Sequence, residues 1–144
     1  MMLPALETGG RFSLVEHPMP PRALGAPLHR HSREDEISLV VEGEVGAMLG
    51  DEVVIARPGE VIVKPRGQWH AFWNAGDAPA RLAEIISPAG FEDYFREVIE
   101  LGGPAKAPPA ELGRIYEKYG LEMDRSSVPM LVERFGLLLA PPAR

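Results

Sequence analysis

Apolar and polar residues alternate along most of the first 90 residues, in short runs separated by glycine and proline. This alternation is typical of strands that bury one face. Turn residues recur roughly every eight to twelve positions, which favours an antiparallel sandwich or barrel. Pro18, Pro20 and Pro21 are expected to end the first strand. The pattern predicts eight strands, over residues 11–16, 27–31, 36–42, 45–49, 52–57, 61–64, 70–74 and 80–87.

The pattern changes after residue 90 to apolar residues at helical spacing. Glycines and prolines divide this region into three predicted helices, over residues 91–101, 110–119 and 127–135. We expect the helices to pack outside the β-structure or against a second subunit. The predicted organisation is a β domain over residues 1–90, in which residues 1–10 form an edge segment, followed by a helical extension over residues 91–144. The predicted class is therefore all-β with C-terminal helices.

Three of the four histidines lie between residues 29 and 74, in positions suited to a metal site. His29 and His31 are two residues apart, and residues i and i+2 of a strand point to the same face. Glu36 and His70 would complete a set of three imidazoles and one carboxylate. Such a set suits a divalent first-row metal and leaves room for water or substrate.

Other ionisable residues compete with this interpretation. Asp35 is an alternative to Glu36 as the carboxylate ligand, although Glu36 has the longer reach. Glu34 is expected to be a solvated charge at a corner, and His17 a surface residue. Lys64 ends a mainly apolar strand, where its amine is expected to extend to the surface. The alternative is that the amine reaches an anion in a pocket.

Two groups of residues resemble the two sequence motifs of the cupin superfamily. The first is His29-x-His31-x4-Glu36-x6-Gly43. The second is filled at every position, by Gly59, Pro65, Gly67, His70 and Asn74. One departure is visible, since Ala23 stands where the first motif opens with glycine and Gly25 is the nearest one. The resemblance covers residues 11–90 and implies a double-stranded β-helix, or jelly-roll, barrel. It also implies that His29, His31, Glu36 and His70 bind the metal, while Gly59, Pro65 and Gly67 set the backbone that aims His70.

The resemblance and the strand alternation together predict which side chains line a pocket. If Glu36 and His70 point inward, their strand neighbours of the same parity do so too. The predicted pocket residues are Ser38, Val40, Met48 and Phe72. Ordinary barrel core is the alternative for all of them, and it is favoured for Val40 and Met48. Asn74 is expected to secure a loop by hydrogen bonding.

Composition limits the chemistry and the partners. The chain of 144 residues has no cysteine, so thiolate metal sites and disulfides are excluded. Its net charge is −6 and it has no block of basic residues, which argues against a nucleic-acid partner. No apolar run is long enough for a transmembrane helix. The first residues lack the features of a signal peptide, so a cytoplasmic location is expected.

Some residue counts bear on stability. There is one Asn and one Gln, Arg outnumbers Lys twelve to three, and 15 residues are proline. These counts fit a thermostable protein. A GC-rich genome would also favour Arg and Pro, so both explanations remain open.

The functional expectation is a metal-dependent cupin that acts on or binds a small organic molecule, with one Fe, Mn, Ni, Zn or Cu ion. The resemblance implies dioxygenase, oxalate-processing or isomerase chemistry, and quercetin-dioxygenase-like is the preferred label. In that version Glu36 is the catalytic residue and takes the substrate proton. The alternative is a non-enzymatic module that binds a ligand or metal. A sugar isomerase or epimerase is favoured less because Tyr94, Tyr116 and Tyr119 lie outside the predicted strands. A homodimer is expected, since exposed strand edges invite pairing.

Overall fold

The computed structural model describes residues 2–139. Residues 1 and 140–144, at the outer ends of the predicted domain ranges 1–90 and 91–144, lie outside the described residues. The strands are β1 (Ser13–Met19), β2 (Leu24–His31), β3 (Asp35–Glu42), β4 (Val45–Leu49), β5 (Glu52–Ala56), β6 (Val61–Lys64), β7 (His70–Asn74), β8 (Ala80–Ser87) and β9 (Leu121–Asp124). The helices are α1 (Ala5–Thr8), α2 (Glu92–Glu100), α3 (Pro109–Tyr119) and α4 (Val128–Phe135), and a single 3-10 turn covers Arg125–Ser127.

The strands form two antiparallel sheets. The first has the strand order β1-β8-β3-β6 and the second has the order β5-β4-β7-β2-β9. Consecutive strands often lie in different sheets, as in a rolled sandwich, so residues distant in sequence meet between the sheets. The predicted jelly-roll barrel with C-terminal helices is confirmed.

Four predicted strands, over residues 45–49, 61–64, 70–74 and 80–87, have the bounds that the structure shows. The first strand was predicted too short, because β1 continues through Pro18 to Met19. Pro18 lies opposite Arg81 on β8. Because β1 is an edge strand with one neighbouring strand, proline is tolerated there although it lacks an amide hydrogen to donate.

The sequence pattern missed β9, which lies within the predicted helical extension. Its four residues pair with β2 along the register Leu28↔Asp124 to His31↔Leu121. The segment is short and follows the helix-ending Gly120, so its strand character depends on the exposed edge of β2. The extension therefore contributes a strand to the barrel sheet as well as its helices.

Three groups of buried side chains hold these elements together. One lies between the sheets and includes Val40, Ala47, Ile62, Phe72 and Leu82. A second joins the barrel to α2 and α3, and a third lies beneath α4 on the outer face of β7 and β4. The helices pack on the barrel. Within residues 2–139, no helix is long and apolar enough to cross a membrane.

Candidate metal centre and cavity

Four buried side chains, three of them from the neighbouring strands β2 and β7, converge between the two sheets. His29 on β2 lies directly opposite His70 on β7 in the strand register, and the two ring centres are 4.1 Å apart. His31 is two residues further along β2, and Glu36 lies on β3 in the other sheet. One ligand atom of each of His29, His31, Glu36 and His70 lies within 4.8 Å of every other. The structure thus brings together the four residues that the sequence predicted.

Backbone carbonyls orient two of the imidazoles. The Nδ1 of His29 lies 2.7 Å from the carbonyl oxygen of Pro27, and the Nδ1 of His70 lies 3.1 Å from that of Gln68. A carbonyl oxygen can only accept, so each Nδ1 donates and each neutral ring keeps its lone pair on Nε2. This arrangement is the one in which a histidine is prepared to bind a metal.

His31 lies close to two carboxylates. Its Nε2 lies 3.4 Å from Glu36 Oε1, and its Nδ1 lies 3.7 Å from Glu34 Oε2. Glu34 is only 6% exposed, so the prediction of a solvated corner charge is wrong. Glu34 thus places a carboxylate on the Nδ1 side of His31, where backbone carbonyls lie for the other two rings.

Glu36, and not Asp35, faces the imidazoles. Glu36 Oε2 lies 3.2 Å from His70 Nε2, and Glu36 is 4% exposed. Asp35 points outward, where it accepts hydrogen bonds from the backbone and side chain of Arg66. Adjacent residues of a strand face opposite sides, which explains why only one of the two can reach the site.

Lys64 supplies a buried positive charge next to the cluster. Its Nζ lies 3.2 Å from Glu36 Oε2 and 2.9 Å from Glu84 Oε1, and Lys64 is 1% exposed. The prediction that its amine extends to the surface is therefore wrong, because Lys64 falls on the inward-facing parity of β6, opposite Glu36. Sequence reasoning also missed Glu84. Its position on β8 has the parity of the buried Leu82 and Ile86, and that parity is the signal that could have found it.

The pKa values of the carboxylates reflect this environment. Burial opposes ionisation of Glu36, but Lys64 and the neighbouring imidazoles hold its pKa well below the usual range. Burial raises the pKa of Glu84 to about 7, although Lys64 opposes that shift. Burial also lowers the pKa of His29 to about 3, with the charge of His70 acting in the same direction. The centre therefore combines a carboxylate with a neutral imidazole at neutral pH.

A cavity of about 440 Å³ opens above the cluster. Its inner end includes Glu36, Lys64 and Glu84, and the helical extension supplies a large part of the wall. His17 lines this cavity and packs against the rings of Phe72 and Phe95, so the prediction of a surface residue is wrong. The cause is again strand parity, because β1 runs beyond its predicted end and places His17 in the wall.

The predicted pocket residues separate into three environments. Phe72 lines the cavity. Val40 belongs to the core between the sheets, and Ser38 is buried beside Glu84, to which its Oγ donates a hydrogen bond of 2.8 Å. Met48 was assigned the wrong face. It lies opposite Ala71 in the β4–β7 register and packs beneath α4.

Tight backbone geometry around the motif residues holds the cluster in place. Gly67 has φ +78° and donates its amide hydrogen to the His31 carbonyl, tying the turn before β7 to β2. The side chain of Asn74 donates to the carbonyls of Met19, Pro20 and Ala78, which confirms its role in securing a loop.

Gly25, the glycine nearest to the departure from the first motif, lies against Phe72. A Cβ at this position would lie 2.2 Å from the Phe72 ring, so the absence of a side chain on β2 lets Phe72 enter the cavity wall.

The donor set fits a metal ion. Among residues 2–139, the buried Nε2 atoms of His31 and His70 have no hydrogen-bond partner, although oxygens of Glu36 lie 3.4 and 3.2 Å from them. Buried polar atoms normally have partners, and three nitrogens with one carboxylate oxygen suit a divalent first-row ion.

Known proteins resemble this chain over the barrel. Tetracenomycin polyketide synthase protein TcmJ of Streptomyces glaucescens is 31% identical over 83 residues, covering 56% of this chain and 56% of that protein. Oxidoreductase iacF of Pestalotiopsis fici is 44% identical over 50 residues, covering 34% of this chain and 24% of that protein. These matches span between a quarter and about half of the length of those relatives.

Solved structures and a family model extend the comparison. A predicted oxalate decarboxylase from Thermotoga maritima has a TM-score of 0.56 and 22% identity, over 60% of this chain and 75% of that chain, a likeness that shows the fold. The family model described as "Cupin domain" matches residues 15–86, which contain all four residues of the cluster. The two-sheet barrel, the buried His3Glu cluster and this match lead to one conclusion: the chain belongs to the cupin family.

Proposed function

We propose that this protein is a metal-dependent cupin that acts on a small organic molecule in the cavity above His29, His31, Glu36 and His70. The observation that carries the proposal is the convergence of four buried ligand atoms within 4.8 Å of one another at the inner end of a 440 Å³ cavity. A cavity of this size is in the range that accepts small ligands.

The residues around the cluster define what the site can do. Glu36 is held ionised by Lys64, so its carboxylate can accept a proton from a substrate hydroxyl group. Apolar and aromatic side chains form much of the cavity wall. A bound divalent ion would add Lewis-acid polarisation of a substrate oxygen. The most specific version of the proposal is a quercetin-dioxygenase-like oxygenase in which Glu36 is the base.

The structure removes one argument against isomerase chemistry. Tyr94 and Tyr116 lie outside the strands, as predicted, but both line the cavity. An acid–base pair that includes a tyrosine is therefore available near the substrate. Within the described cavity lining, however, the lysine and arginine residues are only Lys64 and Arg125, which is sparse for binding a nucleotide sugar.

Metal binding is the first test. Protein purified without chelator or a polyhistidine tag is analysed for metal content and then titrated with Fe(II), Mn(II), Ni(II), Zn(II) or Cu(II). Glu36→Gln should weaken the binding of the preferred ion by more than about 100-fold, because losing a direct ligand exceeds the roughly 10- to 100-fold effect of outer partners. Asp35→Asn is the matched control and should bind as the wild type does. Equal binding by both variants would exclude the proposed centre.

Turnover is the second test. Each loaded protein is assayed for oxygen uptake with flavonols and diketones, and Glu36→Gln should abolish any uptake. A metal that binds without turnover of any of these compounds would favour the alternative, a non-enzymatic module that binds a small ligand or metal.

A further inference from the structure

Aromatic rings are concentrated around the cavity. Five of the ten Phe, Trp and Tyr residues in the chain line it: Phe72, Phe91, Tyr94, Phe95 and Tyr116. Three of them lie on α2 and α3, and Phe91 directly precedes α2. Phe91, Tyr94 and Phe95 contact one another edge-to-face or stacked, with ring centres 4.8–5.5 Å apart. Aromatic walls of this kind favour a flat ring system over a flexible polar chain.

Charge is distributed unevenly between the two ends of the cavity. At the inner end, Lys64 is neutralised by Glu36 and Glu84. The open end is marked by the exposed lining residues Ile99, Pro104 and Arg125. Arg125 makes no ion pair with any acidic group among residues 2–139, and its only hydrogen bond there is a long one, of 3.4 Å, to the carbonyl oxygen of Pro104.

The charge of Arg125 acts on two tyrosines of the cavity wall, Tyr94 and Tyr116. Burial raises the pKa of Tyr94 and of Tyr116, and the positive charge of Arg125 opposes the shift at both phenols. The guanidinium therefore acts on the part of the cavity that these two side chains line. A planar cation with several donors at this place suits a carboxylate or sulfonate.

From these features we infer that the ligand is a flat aromatic acid. Its ring system lies against the aromatic wall formed by Phe91, Tyr94 and Phe95, and its anionic group meets Arg125 at the mouth. This inference rests on the proposed function for the other end of the ligand, which would face the His3Glu cluster. Arg125 and all of the aromatic lining residues except Phe72 lie outside residues 15–86, so the barrel provides the metal centre and the extension selects the ligand.

Two fluorescent probes with a shared ring scaffold test the inference. Anilinonaphthalene sulfonate carries an anionic group, and N-phenyl-naphthylamine is its neutral counterpart. The wild-type protein should bind both, with the sulfonate tighter. Arg125→Gln should weaken binding of the sulfonate probe by about five- to tenfold, as expected for a partly exposed charge-assisted contact. The affinity for the neutral probe should be unchanged. Arg134→Gln on α4 is the matched control and should change neither affinity.

A wall variant separates stacking from charge. Phe95→Leu keeps an apolar side chain but removes the ring, and it should weaken both probes by about threefold to tenfold. Circular dichroism and thermal unfolding confirm that each variant is folded. The inference is overturned if Arg125→Gln lowers both affinities equally, or if the wild type binds the sulfonate no more tightly than the neutral probe.

The titrations are run with metal-free protein and again with the preferred ion. If no metal binds but the sulfonate still depends on Arg125, the proposed metal-dependent function fails and this inference stands. If metal binds but the Arg125 dependence is absent, the inference fails and the metal centre stands.

Discussion

Lys64 is the residue whose environment departs furthest from expectation for its type. Lysine is almost never fully buried unless it is paired. Here two carboxylates raise the pKa of Lys64, although burial itself would lower it. Lys64, Glu36 and Glu84 form one electrostatic unit, and Ser38 donates a hydrogen bond to the carboxylate of Glu84. Removing one member of such a unit leaves an uncompensated buried charge.

A double-mutant cycle measures this coupling. Lys64→Met should lower the free energy of unfolding by about 3 kcal/mol, because it leaves Glu36 and Glu84 without a cation. Glu84→Gln should lower the free energy of unfolding by less, because Lys64 keeps its ion pair with Glu36. In the double variant the two losses should fall short of additivity by at least about 1 kcal/mol. Urea unfolding at pH 8, where most of Glu84 is ionised, provides the measurement. Additive losses would show that the two groups act independently.

His17 should contribute to the loss of stability in mild acid. Burial, together with Lys64, lowers the pKa of His17 to about 4, from 6.5 in its unperturbed state. As the pH falls, His17 therefore binds a proton at a higher pH in the unfolded chain than in the folded protein. The contribution of neutral His17 to stability is complete above pH 6.5 and is lost between pH 6.5 and 4.

We expect His17→Gln to reduce the fall in unfolding free energy between pH 7.5 and 5 by about 1–2 kcal/mol. The comparison of the two proteins at pH 7.5 isolates the change in packing. His29 and His70, whose pKa values are also lowered, remain in both proteins. A pH dependence identical to that of the wild type would contradict the role of His17.

At the scale of elements, α4 covers the outer face of the sheet that carries His29 and His70. Trp73 stacks on Phe135 with ring centres 4.0 Å apart, and Leu131 is completely buried against the same face. A Cβ on Gly46 would lie 2.3 Å from the Trp73 indole, so the glycine on the neighbouring strand β4 leaves room for the indole. The helix thus protects an apolar face that would otherwise be exposed.

Leu131→Ala should lower the unfolding free energy by about 2–5 kcal/mol, since it opens a cavity beneath α4. Met130→Ala on the exposed side of the same helix is the control and should change it by no more than about 0.5 kcal/mol. Denaturant unfolding followed by tryptophan fluorescence measures both. Similar values for the two variants would mean that α4 is not held by this contact.

At the scale of the whole molecule, the outer face of β3 and β6 exposes a patch of apolar side chains. Leu39 lies opposite Val61 and Ile37 opposite Val63, and both valines are more than half exposed. Because β6 is an edge strand, this patch is continuous with a free strand edge. Such a surface fits the expected homodimer.

Light scattering should give twice the chain mass of 15.7 kDa. Val61→Glu combined with Val63→Glu should shift the protein to the monomer, because two charges would be buried at the interface. Leu6→Glu, at a residue that is 92% exposed on α1, is the control and should leave the dimer intact. A monomeric wild-type protein would exclude the dimer. The thermostability expected from composition stays a prediction, and a thermal midpoint above the roughly 45–65 °C of mesophilic domains would support it.

The sequence by itself determined the barrel and the residues of its centre. Alternation and turn residues located most strands because each depends on neighbours within a few positions. The motif spacings placed His29, His31, Glu36 and His70 correctly, and Asn74 as well. Asp35 remained an alternative until strand parity in the folded chain turned it outward.

Only the tertiary structure decided which charges are buried and what covers the barrel. Lys64 and Glu84 are polar residues whose burial is favourable only because partners from other strands meet them. Likewise β9 is a strand because the edge of β2 lies beside it. These features depend on contacts between segments distant in sequence, so local patterns contain no signal for the pairing itself. The same reason explains why the helical extension, expected only to pack on the barrel or on a second subunit, proves to form much of the cavity wall.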